Sequence, residues 1–146
     1  HQTTHDLIDS LEHTAKLGAD RVAVFGYAHV PHMVPRQTMI PTDALPGAEA
    51  RFAMAAAAHA ILTDNGYDAI GFDHFALPHD PMARAVRHGT LRRNFQGFTD
   101  DPAEVLIGMG STAISGFPGL LAQNEKHNGR YRQRSAEGRL SASHGI

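Results

Sequence analysis

The chain of 146 residues contains no cysteine. Disulfides, a zinc ribbon and a thiolate-held iron–sulfur cluster are therefore excluded for these residues. It has no excess of one charge either: 13 basic against 15 acidic side chains give a formal charge of -2, and no block of like charge marks a nucleic-acid face or a membrane-surface helix. Long apolar runs are missing too. The longest, FAMAAAAHAIL, is short for a bilayer span and interrupted by His59, and HQTTHDL has no basic n-region and apolar h-region of a secretion signal. These absences predict a cytoplasmic protein without nucleic-acid or membrane partners. The first residue is His1 rather than methionine, which leads to the expectation of a piece of something longer.

What is present suits a single core: 42% of residues are hydrophobic, enough for one domain or part of one. Thr3 or Thr4 is positioned to cap a helix over residues 5–17, where Leu7, Ile8, Leu11 and Ala15 recur at three- and four-residue spacing before Lys16 and Gly18. RVAVF, 21–25, reads as a buried strand, and the stretch from Pro31 to Pro46 as a long loop. Residues 47–65 form the longest expected helix, ended by Asn65-Gly66. AIGF, 69–72, follows as a second strand, then a short helix over 80–89 with Asp80 as N-cap and Pro81 at N1. EVLIGM, 104–109, reads as a third strand and GLLAQNEKH, 119–127, as a last helix; the tail after it is polar and glycine-spaced. This alternation predicts an α/β fold with parallel strands, a fragment of a (β/α) TIM-type partial barrel. Residues 1–128 would be the later half of that barrel and residues 129–146 a connection towards a further domain.

In such barrels the site gathers just past the C-terminal strand ends, which here selects residues 26–29, 73–75 and 108–111 onward. GMGSTA, 108–113, matches a dinucleotide fingerprint, but Gly116 and Pro118 interrupt the helix that should follow and no acidic strand end comes about twenty residues on. Glycines there would instead bring main chain close to a ligand. His29, His32, Asp73, His74 and His79 offer a metal set for a hydrolase, although Pro31 and Pro78 break each pair and neither has i, i+4 helical spacing. HGTLRRNFQGFTDD, 88–101, has no regular period. Its Arg92 and Arg93 offer forks for carboxylates, Gln96 an amide, and Phe95 and Phe98 flat apolar surface.

Taken together, VFGYAHVP (24–31), GFDHFALP (71–78), LRRNFQGFT (91–99), GMGSTAIS (108–115) and LAQNEKHN (121–128) resemble the oxygen-independent coproporphyrinogen III oxidases (dehydrogenases), radical S-adenosylmethionine enzymes of haem biosynthesis. RNFQGFT is the most specific of these blocks. The resemblance implies the radical SAM core fold and the oxidative decarboxylation of two propionates to vinyls, which turns coproporphyrinogen III into protoporphyrinogen IX. It implies two S-adenosylmethionines per parent protein and a [4Fe–4S] cluster whose cysteines are absent from this chain. It also implies an electron donor and a monomeric parent, with the present chain inactive alone.

By the same resemblance Ala28 contacts the second S-adenosylmethionine through its backbone and Ile114 packs on the first, while Phe95 and Gln96 line the pocket for cofactor and substrate. Carboxylate binding by Arg92 and Arg93 is a reading from charge, since the substrate carries four propionates. Gly26 and Phe98 depart from the Asn and Tyr frequent in relatives. The alternative function is a haem- or tetrapyrrole-binding chaperone of the same superfamily without radical chemistry, with His29 or His74 as axial ligand.

Overall fold

The computed structural model describes residues 2–146. The chain divides into two compact units, one ending at Leu91 and one spanning Arg92–Ile146.

The first unit opens with helix α1, Thr4–Leu17. Its start is a reciprocal cap: the Asp6 N–H donates to Thr3 Oγ1 at 3.2 Å and the Thr3 N–H donates to the Asp6 carboxylate at 2.7 Å. The hydrogen bonds from Thr3 hold the Asp6 carboxyl below its ordinary value. Gly18 closes the helix in the left-handed conformation at φ 69°. Strand β1, Arg21–Ala23, precedes two short 3-10 turns, Pro35–Met39 and Thr42–Ala44, inside the Pro-rich stretch. Helix α2, Ala48–Asp64, is capped at Asn65. Strands β2, Asp68–Ile70, and β3, His74–Ala76, lead into helix α3, Pro81–Arg87, where Asp80 accepts from the Met82 N–H as expected.

The α/β class agrees with expectation, but the expected parallel pairing does not. The sheet order is β1-β3-β2 and both pairs are antiparallel, with Ala23 and Ile70 each opposite His74. Gly71 is the physical reason. At φ 68° it lets the chain reverse within Gly71-Phe72-Asp73, so AIGFDHFA forms a hairpin rather than one strand with Asp73 and His74 beyond its end. Because β1 and β2 both run against β3, they run parallel to each other. The strand–helix–strand crossover through α2 thus survives, with the hairpin's return strand inserted between its two strands.

The core of this unit joins Leu11 from α1, Ala58 and Leu62 from α2, Tyr67, and Phe75 from β3. Tyr67 keeps its hydroxyl satisfied by donating to the Ala19 carbonyl at 2.7 Å. His59 meets the Phe75 ring edge-on, with centroids 5.8 Å apart.

The second unit is built from hairpins. Strands β4, Arg92–Asn94, and β5, Gly97–Thr99, pair antiparallel, so the stretch expected to be an irregular loop is a hairpin with Phe95-Gln96 at its tip. Strands β6, Ile114–Phe117, and β7, Leu120–Asn124, form a second hairpin around Pro118-Gly119, with Gly119 at φ 75°. A Pro-Gly pair with positive φ at glycine is a tight-turn signal, which is why residues 119–127 do not form the expected helix. Nor is EVLIGM a strand: only Leu106 pairs, in an isolated bridge to Gly116. The polar tail carries helix α4, Asn128–Ala136, and strand β8, Ala142–Gly145, which completes the sheet β6-β7-β8.

Candidate functional site

In the first unit the chain leaves β1 as an extended segment that forms one wall of a cavity of about 750 Å³. Residues 25–30 face residues 40–42 and 44–47 across it, with Arg51 from α2 also on its lining. Pairing stops at Val24, whose N–H donates to the Asp73 carbonyl at 2.7 Å. Beyond it, among the described residues, the peptide N–H of Ala28 and both peptide groups of His29 have no protein partner. Unpaired main chain on a cavity wall is a ready donor and acceptor set for a ligand edge.

Gln37, in the first 3-10 turn, holds this segment. Its Nε2 donates to the Ala28 carbonyl at 3.0 Å and its Oε1 accepts from the Val30 N–H at 2.5 Å. His29 is held through its ring: Nδ1 lies 3.2 Å from the Tyr27 hydroxyl and Nε2 3.3 Å from Thr42 Oγ1. With both nitrogens engaged, axial ligation by His29 would require one of these contacts to break. His74 lies 2.6 Å from the Asp73 carboxylate, and His79 3.1 Å from Asp20. Among the described residues, no three His, Cys, Asp or Glu side chains come together as a metal set.

The second unit contains Phe95, Gln96 and Ile114. Asn94 Oδ1 accepts from the Gln96 N–H at 2.8 Å, fixing the hairpin tip as an Asx turn. The Gln96 side chain is exposed, and its amide has no partner among the described residues. Phe95 is 36% exposed and lies on the lining of a second cavity of about 280 Å³ with Arg92 and Arg93. Arg92 donates to the Pro102 carbonyl at 3.1 Å, and the Arg93 guanidinium sits 5.0 Å from the centre of the Phe98 ring opposite it.

Ile114 opens β6, and its surroundings explain the glycines before it. A Cβ on Gly108 would stand 2.5 Å from the Ile114 carbonyl oxygen and 2.7 Å from its carbon. The close approach expected between this loop and a ligand is, at Gly108, an approach to the protein's own strand. Asn124 secures the loop by donating from Nδ2 to the Gly108 carbonyl at 3.1 Å and the Gly110 carbonyl at 3.0 Å, while the Tyr131 hydroxyl accepts from the Gly110 N–H at 3.1 Å. Gln37, Asn124 and Tyr131 are the residues that sequence reasoning did not single out. Asn124 lies within LAQNEKHN (121–128), where its neighbours mark no role for it, and nothing in the spacing of Gln37 marks it.

Relatives extend over nearly the whole chain. An oxygen-independent coproporphyrinogen III oxidase from Paracoccus denitrificans is 48% identical over 145 residues, covering 99% of this chain and 32% of that protein. The one from Escherichia coli is 40% identical over 136 residues, 93% of this chain and 30% of its own length. The chain is a homologue of the oxygen-independent coproporphyrinogen III oxidases. A solved structure of coproporphyrinogen III oxidase from Escherichia coli, described as a radical SAM enzyme, superposes with a TM-score of 0.88 at 39% identity, covering 99% of this chain and 33% of that one. The chain thus spans about a third of the length of the coproporphyrinogen oxidases it matches. No family model matches it. No helix among its described residues is long and apolar enough to cross a membrane.

Proposed function

We propose that this chain is part of an oxygen-independent coproporphyrinogen III oxidase, which converts two propionates of coproporphyrinogen III to vinyls by radical oxidative decarboxylation in haem biosynthesis. The observation that carries the reading is the continuous match over 145 residues at 48% identity to an enzyme of that name. In this reading the parent is a cytoplasmic monomer served by an electron donor. With no cysteine among them, the 146 residues do not fit a thiolate-held [4Fe–4S] cluster, whose ligands come from outside this stretch in the proposed enzyme.

The chain does fit S-adenosylmethionine. A cavity of about 750 Å³ bordered by unpaired peptide groups around Ala28 suits a flat heterocycle and ribose read by main chain. The bound cofactor supplies the hydrogen-abstracting radical. The residues here bind and orient: Ala28 through its backbone to one S-adenosylmethionine, Ile114 against another, Phe95 as an apolar wall and Gln96 as an amide towards the substrate. The unpartnered Gln96 amide at a fixed hairpin tip supports that assignment. Arg92 and Arg93 remain carboxylate contacts by charge, Arg93 keeping its guanidinium on the Phe98 face.

Gln96→Ala in the full-length protein is expected to lower turnover of coproporphyrinogen III by about tenfold or more, the scale of one well-placed hydrogen bond in a site that excludes water. Unchanged turnover removes Gln96 from the site. Absence of any vinyl product from the wild-type protein supplied with reductant and S-adenosylmethionine removes the function.

A further inference from the structure

The Gln37 side chain bonds to the two peptide groups flanking His29, donating to the carbonyl of residue 28 and accepting from the N–H of residue 30. In a parallel sheet a residue makes this same pair of bonds to its neighbour strand, its N–H reaching one carbonyl and its own C=O receiving the N–H two residues on. The segment 25–30 has left its sheet neighbour at Val24, so among the described residues no strand supplies those bonds.

We infer that Gln37 is a positioning residue: its amide takes the place of one peptide unit of an absent parallel strand and sets the conformation of residues 28–30 for the ligand this wall receives. The inference rests on the proposed S-adenosylmethionine site around Ala28 and adds the residue that shapes it. Both polar atoms of the amide are used, which fixes its orientation, since a flipped amide would set donor against donor at Val30. The 3-10 turn Pro35–Met39 delivers it. Pro35 starts the turn, and the Gln37 N–H donates to the Val34 carbonyl at 2.9 Å, so the side chain is aimed by a fixed backbone. The remaining unpaired groups, the Ala28 N–H and the His29 peptide groups, are then held in an extended wall before any ligand arrives. Ordering them in advance removes a cost that binding would otherwise bear.

The test uses the full-length protein with two substitutions of nearly equal size. Gln37→Met deletes both bonds; Gln37→Glu keeps an acceptor for Val30 and sets an anion against the Ala28 carbonyl. Three quantities are read: S-adenosylmethionine affinity by equilibrium binding, the split between KM for that cofactor and kcat, and hydrogen exchange of the Val30 amide.

Gln37→Met is expected to weaken S-adenosylmethionine binding about tenfold and to speed Val30 exchange, with kcat at saturating cofactor largely kept. Gln37→Glu is expected to weaken binding similarly while Val30 stays protected, a pattern that a loss of folding would not produce. Wild-type affinity in both variants overturns the positioning role. So does a variant pair whose thermal midpoints both collapse, since Gln37 would then be holding the unit together. A wild-type protein that binds no S-adenosylmethionine overturns the cofactor assignment itself, a failure seen before any variant is made.

Discussion

Asp80 caps α3 through the Met82 N–H at 2.7 Å and also holds Arg21, whose Nε lies 2.9 Å from each carboxylate oxygen. The residue is only 6% exposed. Burial opposes its ionisation, and the hydrogen bonds from Arg21 and Met82 outweigh that, so its carboxyl sits below the ordinary 3.8. A depressed folded value stabilises the protein above the unfolded pKa, and that contribution is lost as pH falls from about 4 through the folded value. Asp80→Asn is expected to cost about 1–3 kcal/mol at pH 7 and to flatten the acid limb of stability below pH 4. Denaturant titrations at pH 7 and pH 3, followed by exchange of the Leu62 amide, check both parts. Gly108 makes a steric case at the same scale. Because the atoms nearest an added Cβ all belong to the Ile114 main chain, the strand rather than a side chain must yield. Gly108→Ala is expected to destabilise the second unit by about 2 kcal/mol or more and to raise KM for S-adenosylmethionine in the full-length protein.

Among the elements, the two glycines of the β6–β7 hairpin should behave oppositely. Gly119 sits at φ 75° in the turn, where any L side chain is strained, and Gly119→Ala is expected to cost about 1–2 kcal/mol. A Cβ on Gly116 meets only Leu121 at 3.7 Å and Phe95 at 3.9 Å, ordinary contacts, so Gly116→Ala should stay within about 0.5 kcal/mol. Urea titrations of the paired variants test the contrast. The same hairpin shows which elements are legible in the letters. Helices α1, α2 and α3 announce themselves because caps and stops are local: Thr3 with Asp6, Gly18, Asn65, and Asp80 with Pro81. The three-residue strands do not, since β2 and β3 are too short to display a period of two and only Gly71 separates them. Residues 120–124 carry adjacent leucines with no strand alternation, because neither face of their sheet is deeply buried. Of the proposed ligand contacts, Ala28 and Ile114 each lie in a block that is recognisable as a pattern. Gln37 was not, because its role depends on a turn folding back over a segment seven residues earlier in the chain.

At the scale of the whole molecule, apolar burial is uneven. Every buried hydrophobic residue among those described, from Leu11 to Ala85, belongs to the first unit, and the second contributes none. Stability that comes from burial should be distributed the same way. Hydrogen exchange of this chain is expected to show amides of Leu62 and Phe75 protected by at least about 2 kcal/mol more than those of Ala122 and Gln123 in β7. Equal protection would mean the two units open together.

β3, the middle strand of its sheet, is the last of the three in sequence. In this sheet the strand Arg21–Ala23 pairs with β3, so that pairing waits until the hairpin of residues 68–76 has closed, and the Arg21–Asp80 latch forms only after that. Closing a three-residue loop is fast and local, whereas recruiting a segment some fifty residues upstream is slow. Folding of this unit should thus start from its C-terminal side, with substitutions at Gly71 slowing refolding and substitutions at Arg21 mainly hastening unfolding. On a ribosome, residues 21–23 would wait for residues 74–76 to emerge before this pairing could form.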